Sequence, residues 1–226
     1  ANESNTSFSK AKKTLESHVY QDHRETLYCG ARFDAKKLIT PPKGFATLKY
    51  AKRAKKLEWE HAVPAENFGR TFKEWRDGDA QCVTRKGKSY KGRRCAEKVN
   101  KEYRYMQAQM FNLYPAIGAV NALRSNYNFT LLPDENSDFG SCEMKISDRK
   151  AEPPVKARGR IARTYLYMDE AYGRYNMSSQ QKQLMLAWDK MHPVDDWECK
   201  RATRITQQQN SNNRVVQSRC EAKGLW

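Results

Sequence analysis

The sequence predicts a single α+β domain over residues 1–226 that is mostly helical. The chain has 226 residues, of which 38% are hydrophobic and 11% aromatic, and this suits one domain with a sizeable core. Several segments carry apolar residues at helical spacing, whereas only two short segments alternate as strands do. No internal repeat, glycine-rich phosphate loop or clean domain linker is visible. We therefore expect one domain.

Four segments are predicted to be helices, each from an apolar stripe at a spacing of three or four residues. The first follows Ser7, whose hydroxyl can cap a helix N-terminus. The second covers 101–111 and the third covers 160–172. The fourth follows Ser178 or Ser179, either of which can cap it. We interpret these stripes as faces that pack into the core.

The strand signals are weaker and occur at two places. The segments 26–33 and 56–63 combine β-branched, aromatic and alternating apolar residues. Between the helices, the segment 77–95 is predicted to be a long basic loop closed by a disulfide. The polar segment 207–214 is expected to be mobile, because it offers no apolar side chain to a core.

Six scattered cysteines without a CxxC pair indicate three disulfides in an oxidising compartment, either periplasmic or extracellular. The polar start of the chain is what a mature protein shows after removal of a signal peptide. Proximity in the sequence favours two pairs and leaves a third, although six cysteines allow fifteen connectivities. The predicted pairs are Cys82–Cys95, Cys199–Cys220 and Cys29–Cys142.

The net charge of +16, from 42 basic and 26 acidic residues, favours a polyanionic partner. The excess is concentrated in the segments 49–56, 84–104 and 145–163. Nucleic acid is the commonest polyanion, and binding through phosphates would depend steeply on salt. A solvated surface, an acidic membrane or a cell wall are the alternatives that charge alone leaves open. No apolar run approaches the length of a membrane span, so we expect no membrane insertion.

Glu60 and His61 form the pair of residues that most clearly points to chemistry. Phosphodiester hydrolysis needs a base that activates water, and a histidine with a pKa near neutrality suits this task. It also needs a hard cation, for which carboxylate and carboxamide oxygens are suitable ligands. Taken alone, such a pair is more often a surface pair or a structural histidine.

Several longer motifs place this pair in a known context. The stretch "EWEHAVPAENFG" (58–69) and the stretch "MFNLYPAIGAVNALRSN" (110–126) resemble signature blocks of the endonuclease I family. Further blocks at 157–168 and 187–201 are similar to the same family, in the same order. The resemblance spans essentially the whole chain. It implies a bacterial nuclease, periplasmic or secreted, whose domain contains a ββα-metal (His-Me finger) core.

The resemblance implies specific roles for residues of this chain. His61 would be the general base, and Glu60 and Asn112 would be the protein ligands of one Mg²⁺ ion, a site that Mn²⁺ or Ca²⁺ could also occupy. The metal would stabilise the phosphorane. Arg93, within "KGRRC", would approach the scissile phosphate, with Arg94 as the alternative.

Three further residues lie in a block that matches the family: Asn121, Arg124 and Asn126. They are candidates for substrate binding through the phosphate backbone. The alternatives, which stay open at this point, are that they support the site or are packing and turn residues.

The reaction that the resemblance implies is endonucleolytic cleavage of DNA, and also of RNA, by a monomer with little sequence preference. The products would carry 5′-phosphate and 3′-hydroxyl ends. Two other classes remain in competition. One is a basic binding protein without chemistry. The other is a hydrolase acting on an anionic wall polymer, which would require two facing carboxylates.

Overall fold

Helices form most of the regular structure in the computed structural model, which describes residues 1–226. In chain order they are α1 (Phe8–Thr14), α2 (Ala65–Gly69), α3 (Lys73–Asp77), α4 (Arg93–Val99), α5 (Lys101–Gln107), α6 (Gly118–Arg124), α7 (Val155–Ala171), α8 (Ser179–Met191), α9 (Asp196–Gln209) and α10 (Arg214–Ala222). The most extensive contact between two helices is that of α7 with α8, and both contribute buried side chains to the core.

The strands are short and form three small sheets, which makes the fold α+β. They are β1 (Arg32–Phe33), β2 (Ile39–Thr40), β3 (Leu57–His61), β4 (Leu113–Ile117), β5 (Asn128–Phe129), β6 (Lys145–Ser147) and β7 (Lys150–Glu152). One hydrophobic cluster of 49 buried residues extends from Ala11 to Cys220. The whole chain therefore shares one core, as expected for a single domain.

The β3–β4 ribbon positions the residues that the sequence singled out. The two strands are antiparallel, with Leu57 opposite Ile117 at one end and His61 opposite Leu113 at the other. Helix α6 follows β4 without a connecting loop. Its first residue is Gly118, where a side chain would clash with the backbone of Arg53 and the carboxylate of Glu58. The missing Cβ therefore lets α6 lie directly against β3.

Three of the predicted helices are confirmed with shifted ends. The Ser7 hydroxyl accepts from the Lys10 backbone N–H at 3.1 Å at the start of α1, which continues as a π-helical turn over Leu15–Val19. The Ser178 hydroxyl caps α8. Helix α7 begins earlier than predicted, directly after Pro154, since the fixed φ of proline suits a helix start.

The other predicted helix is confirmed only in part. Helix α5 ends at Gln107, and the residues Met110–Asn112 form a 3-10 turn that leads into β4. The chain has to leave the helix here because β4 pairs with β3 from Leu113 onwards. Tertiary pairing thus overrides the local helical pattern.

The predicted strand over 26–33 is wrong for most of its length, because only Arg32 and Phe33 are in a strand. The preceding residues turn sharply at Gly30, where φ is +62°. Two tertiary links account for this turn. The Tyr28 side chain enters the core to bond with Glu60, and Cys29 is bonded to Cys142.

The expectation of a mobile segment over 207–214 is also wrong. Helix α9 ends at Gln209, Asn210 takes the left-handed conformation that asparagine tolerates, and the Asn213 side chain caps α10 through the Val216 N–H at 3.1 Å. The Gln209 amide is buried and accepts from the Met110 N–H at 2.9 Å. Amide side chains thus order the segment in place of apolar ones.

The disulfide prediction is confirmed in full. The bonded pairs are Cys82–Cys95, Cys199–Cys220 and Cys29–Cys142, and no cysteine is free. The first of these closes the basic loop between α3 and α4, as predicted. None of the helices combines the length and the apolar character that a membrane crossing requires.

Candidate functional site

A cavity of about 660 Å³ lies along the free edge of β3, and we call it the β3 cavity. Strand β3 pairs only with β4, and all five of its residues line the cavity. Neighbouring side chains of a strand point to opposite faces. A cavity along an unpaired edge is accessible from both faces, so Glu60 and His61 reach the same space.

His61 is held in one tautomer by a backbone carbonyl. Its Nε2 lies 2.9 Å from the Gln107 carbonyl oxygen, which can only accept, so Nε2 carries the proton. The Phe8 ring lies 5.0 Å and the Phe68 ring 6.2 Å from the imidazole, centroid to centroid. Nδ1 has no hydrogen-bond partner in the protein, and it is accessible to solvent. An unprotonated nitrogen therefore faces the β3 cavity.

Burial lowers the pKa of His61 to about 4, although the bond to the Gln107 carbonyl opposes this shift. The positive charges of Arg93, Lys12 and Arg124 lower the pKa further. The ring is therefore neutral at pH 7, which is the state that a general base requires.

We expect the His61 ring of the metal-free protein to titrate at about pH 4 in an NMR titration. Because the unfolded chain would take up this proton near pH 6.5, the unfolded state binds more protons between these two values. The free energy of unfolding should therefore fall as the pH drops from about 6.5 to about 4. The variant His61→Asn identifies the signal and should remove this part of the pH dependence. A midpoint near 6.5 would contradict the expectation.

Glu60 is buried and presents one carboxylate oxygen to the cavity. Its Oε2 accepts from the Tyr28 hydroxyl at 2.9 Å and lies 3.2 Å from Nη1 of Arg124. Its Oε1 has no protein partner and is not shut off from solvent. Burial raises the pKa of this carboxyl, and the charge of Arg124 and the Tyr28 hydroxyl oppose the rise.

Arg124 lies behind the site and has no exposed surface. Besides Glu60, its guanidinium donates to the carbonyl oxygens of His61 at 3.2 Å, Ala62 at 2.7 Å and Tyr127 at 2.8 Å. An enclosed guanidinium cannot contact a DNA phosphate. Of the three interpretations of Arg124, the structure therefore favours support of the site over substrate binding.

Asn112 is likewise fully buried and does not line the β3 cavity. Its Oδ1 accepts from the Val63 N–H at 2.8 Å, and its Nδ2 donates to the Val63 carbonyl oxygen at 3.0 Å. These two hydrogen bonds join the chain just beyond β3 to the residue that precedes β4. The structure thus does not bring Asn112 and Glu60 together in the cavity, which counts against the predicted ligand pair.

Asn121, the fourth residue of α6, does line the cavity. Its Nδ2 donates to Glu58 Oε1 at 2.9 Å, and Arg53 holds Glu58 through contacts of 2.8 and 2.5 Å. The amide is therefore oriented by its nitrogen, and its Oδ1 is left without a protein partner. Sequence reasoning missed Glu58 and Arg53. The alternation of β3 could have indicated Glu58, which shares a face with Glu60.

The structure also separates the two candidate arginines. Arg93 is the first residue of α4 and lines the cavity, whereas Arg94 lies outside it, with its guanidinium 5.1 Å from the Tyr90 ring. Asn126 lines the cavity and donates a hydrogen bond to the Glu66 carboxylate. The β3 cavity thus contains Glu60, His61, Arg93, Asn121 and Asn126, but neither Arg94, Asn112 nor Arg124.

Comparison with known proteins identifies the family of this chain. A family model described as Endonuclease I matches residues 7–220. The chain is 38% identical to an extracellular deoxyribonuclease of Aeromonas hydrophila over 95% of this chain and 90% of the relative. It is 37% identical to a periplasmic deoxyribonuclease of the same organism, over 90% and 82% of the two chains. It is 33% identical to Endonuclease-1 of Buchnera aphidicola, over 93% and 81%. The matched residues include the whole lining of the β3 cavity, and the chain belongs to the endonuclease I family.

Proposed function

We propose that this protein is a Mg²⁺-dependent endonuclease that hydrolyses phosphodiester bonds of DNA, and also of RNA, with little sequence preference. It acts as a monomer and leaves 5′-phosphate and 3′-hydroxyl ends. The observation that carries the proposal is the neutral His61 ring, whose free Nδ1 shares a cavity with an unpaired carboxylate oxygen of Glu60 and the guanidinium of Arg93. The deoxyribonuclease activity in the names of the relatives supports the same substrate.

The donors in the β3 cavity fit a hard divalent cation. Oε1 of Glu60 and Oδ1 of Asn121 are both unpaired, and carboxylate and carboxamide oxygens are ligands that Mg²⁺ accepts. We propose these two residues as the ligands, in place of the pair with Asn112. Strands β3 and β4 with α6 would then form the ββα-metal core. When bound, the cation would supply Lewis-acid stabilisation of charge on the phosphate and on the departing 3′-oxygen.

The two asparagines provide a test of this revised pair. Asn121→Ala should lower Mg²⁺-supported cleavage by about 10²-fold, since a bound cation contributes several kcal/mol to such reactions. Its melting temperature should change little. Asn112→Ala should instead lower the free energy of unfolding by about 1–3 kcal/mol, because both backbone groups of Val63 lose their partners. Cleavage rates and denaturant unfolding of both variants, at one temperature, decide between the pairs. Loss of cleavage in a fully stable Asn112→Ala protein would restore the original pair.

Residues of the chain would accept the proton and bind the phosphates of the substrate. Nδ1 of His61 takes the proton of the attacking water, while the Gln107 carbonyl keeps the ring oriented through Nε2. Arg93 has no carboxylate partner and can bind oxygens of the scissile phosphate. The basic surface binds the remaining phosphates without reading the base sequence, which explains the low specificity we propose.

The proposed location is the periplasm or the extracellular medium. The three disulfides are stable only in an oxidising compartment, and no cysteine is left reduced. Relatives named extracellular and periplasmic deoxyribonuclease support the same location.

Incubation of supercoiled plasmid with the purified protein, with Mg²⁺ or with EDTA, tests the function. We expect nicked and linear DNA with Mg²⁺ and intact plasmid with EDTA. An RNA substrate and end-group analysis test the remaining parts of the proposal. A gel shift without cleavage would indicate the basic binding protein, and release of sugars from a wall polymer would indicate the other hydrolase.

A further inference from the structure

The carboxylates of the β3 cavity are already neutralised within the protein. Three line it: Glu58, Glu60 and Glu66. Each forms an ion pair with an arginine. An incoming phosphate therefore meets little uncompensated negative charge.

The cationic side chains of the cavity are only partly compensated. Four line it, and two of these, Lys37 and Arg53, are paired with glutamates at 3.2 and 2.5 Å. No carboxylate oxygen lies within 4.0 Å of the charged nitrogens of Lys12 or Arg93. The cavity thus presents two free positive charges from two different helices, α1 and α4. Arg93 belongs to the function proposed above, but Lys12 has no role in it.

Lys12 is held next to the general base by an aromatic ring. Its Nζ lies 4.3 Å from the centroid of Phe8, one turn earlier on α1, and the Phe8 ring lies 5.0 Å from the His61 ring. The ammonium makes no hydrogen bond within the protein. A contact with an aromatic face orients a cation while leaving its N–H donors available.

We propose that Lys12 is a further catalytic residue that contacts a non-bridging oxygen of the scissile phosphate. This proposal rests on the proposed nuclease function. In the hydrolysis, a bond forms between the water oxygen and phosphorus, and the bond from phosphorus to the 3′-oxygen breaks. One proton of the attacking water passes to His61, and the departing 3′-oxygen takes a proton from solvent to become the hydroxyl. Negative charge grows on the phosphate oxygens during this exchange. The Lys12 ammonium stabilises that charge, as Arg93 does from the other helix.

The test compares three variants by single-turnover cleavage of an end-labelled DNA duplex in Mg²⁺, with enzyme in excess. Lys12→Met removes the ammonium and keeps most of the stem, and Lys12→Arg keeps the charge. Lys13→Met is the matched control, since Lys13 is the exposed neighbour on α1 and lies outside the β3 cavity. Binding of the same duplex is measured in EDTA by fluorescence anisotropy, and folding is checked by thermal unfolding.

We expect Lys12→Met to lower the single-turnover rate by about 10²-fold, while Lys12→Arg recovers most of it. Lys13→Met should stay within about twofold of the parent, and both methionine variants should lose similar, small amounts of affinity in EDTA. If the parent and both methionine variants cleave at equal rates, the proposed role of Lys12 is refuted and the nuclease function is not affected. If the parent protein itself fails to cleave in Mg²⁺, the proposed nuclease function is refuted, and with it the proposed role of Lys12.

Discussion

Replacement of His61 by alanine is expected to lower the rate of DNA cleavage by about 10³-fold while DNA binding stays nearly unchanged. The free Nδ1 is the proposed proton acceptor in the β3 cavity, and no second histidine lines this cavity. Water would then attack without a base. Binding depends on the surface cations, which the substitution leaves in place.

Single-turnover kinetics and anisotropy in EDTA measure the two effects of His61→Ala separately. His61→Asn serves as a second variant, because it keeps more of the buried volume beside Phe8 and Phe68. His18→Ala is the control, since His18 is exposed and lies outside the cavity. A His61→Ala protein that cleaves at the rate of this control would refute the mechanism.

Replacement of Arg124 by methionine is expected to lower the free energy of unfolding by about 3–5 kcal/mol. Arg124 and Glu60 form a buried ion pair, and the variant leaves the carboxylate buried without its positive partner. It also removes the donors to the carbonyl oxygens of His61, Ala62 and Tyr127. Oε1 of Glu60, which faces the cavity, and the last residues of β3 should therefore lose their fixed positions.

Denaturant unfolding with the disulfides intact measures this loss. Arg94→Met is the matched control, because Arg94 is exposed and outside the cavity, and we expect a change within about 0.5 kcal/mol. The double variant Arg124→Met/Glu60→Gln should recover part of the stability, since the unpaired buried charge is then absent. An Arg124→Met protein as stable as the control would show that the pair is not needed for the fold.

The contrast between Asn112 and Asn121 shows where sequence reasoning reached its limit. Both lie in the same matching block, and both carry the carboxamide that a cation would accept. Which of them keeps a free oxygen depends on partners far away in the sequence, Val63 for Asn112 and Glu58 for Asn121. Local spacing does not contain this information.

The errors in secondary structure have the same origin. The segment 26–33 has the composition of a strand, but Tyr28 and Cys29 are drawn into tertiary bonds that require a turn. The segment 207–214 has the composition of a mobile linker, but buried amides such as Gln209 and Asn213 cap and anchor the helices on either side. The composition of a segment indicates how much apolar surface it can bury. It does not indicate which of its polar side chains will form buried hydrogen bonds.

The sequence by itself determined the family, the basic character and the pair of Glu60 and His61. It also favoured three disulfide pairs among the fifteen possible connectivities, and the structure confirmed them. These depend on residue types and on order along the chain, which can be read without coordinates. Only the tertiary structure decided which asparagine and which arginine face the β3 cavity, and which cations there lack a partner. The reason is physical: the charge that a site offers to a substrate is what remains after ion pairs form between elements, and those pairs exist only in the folded chain.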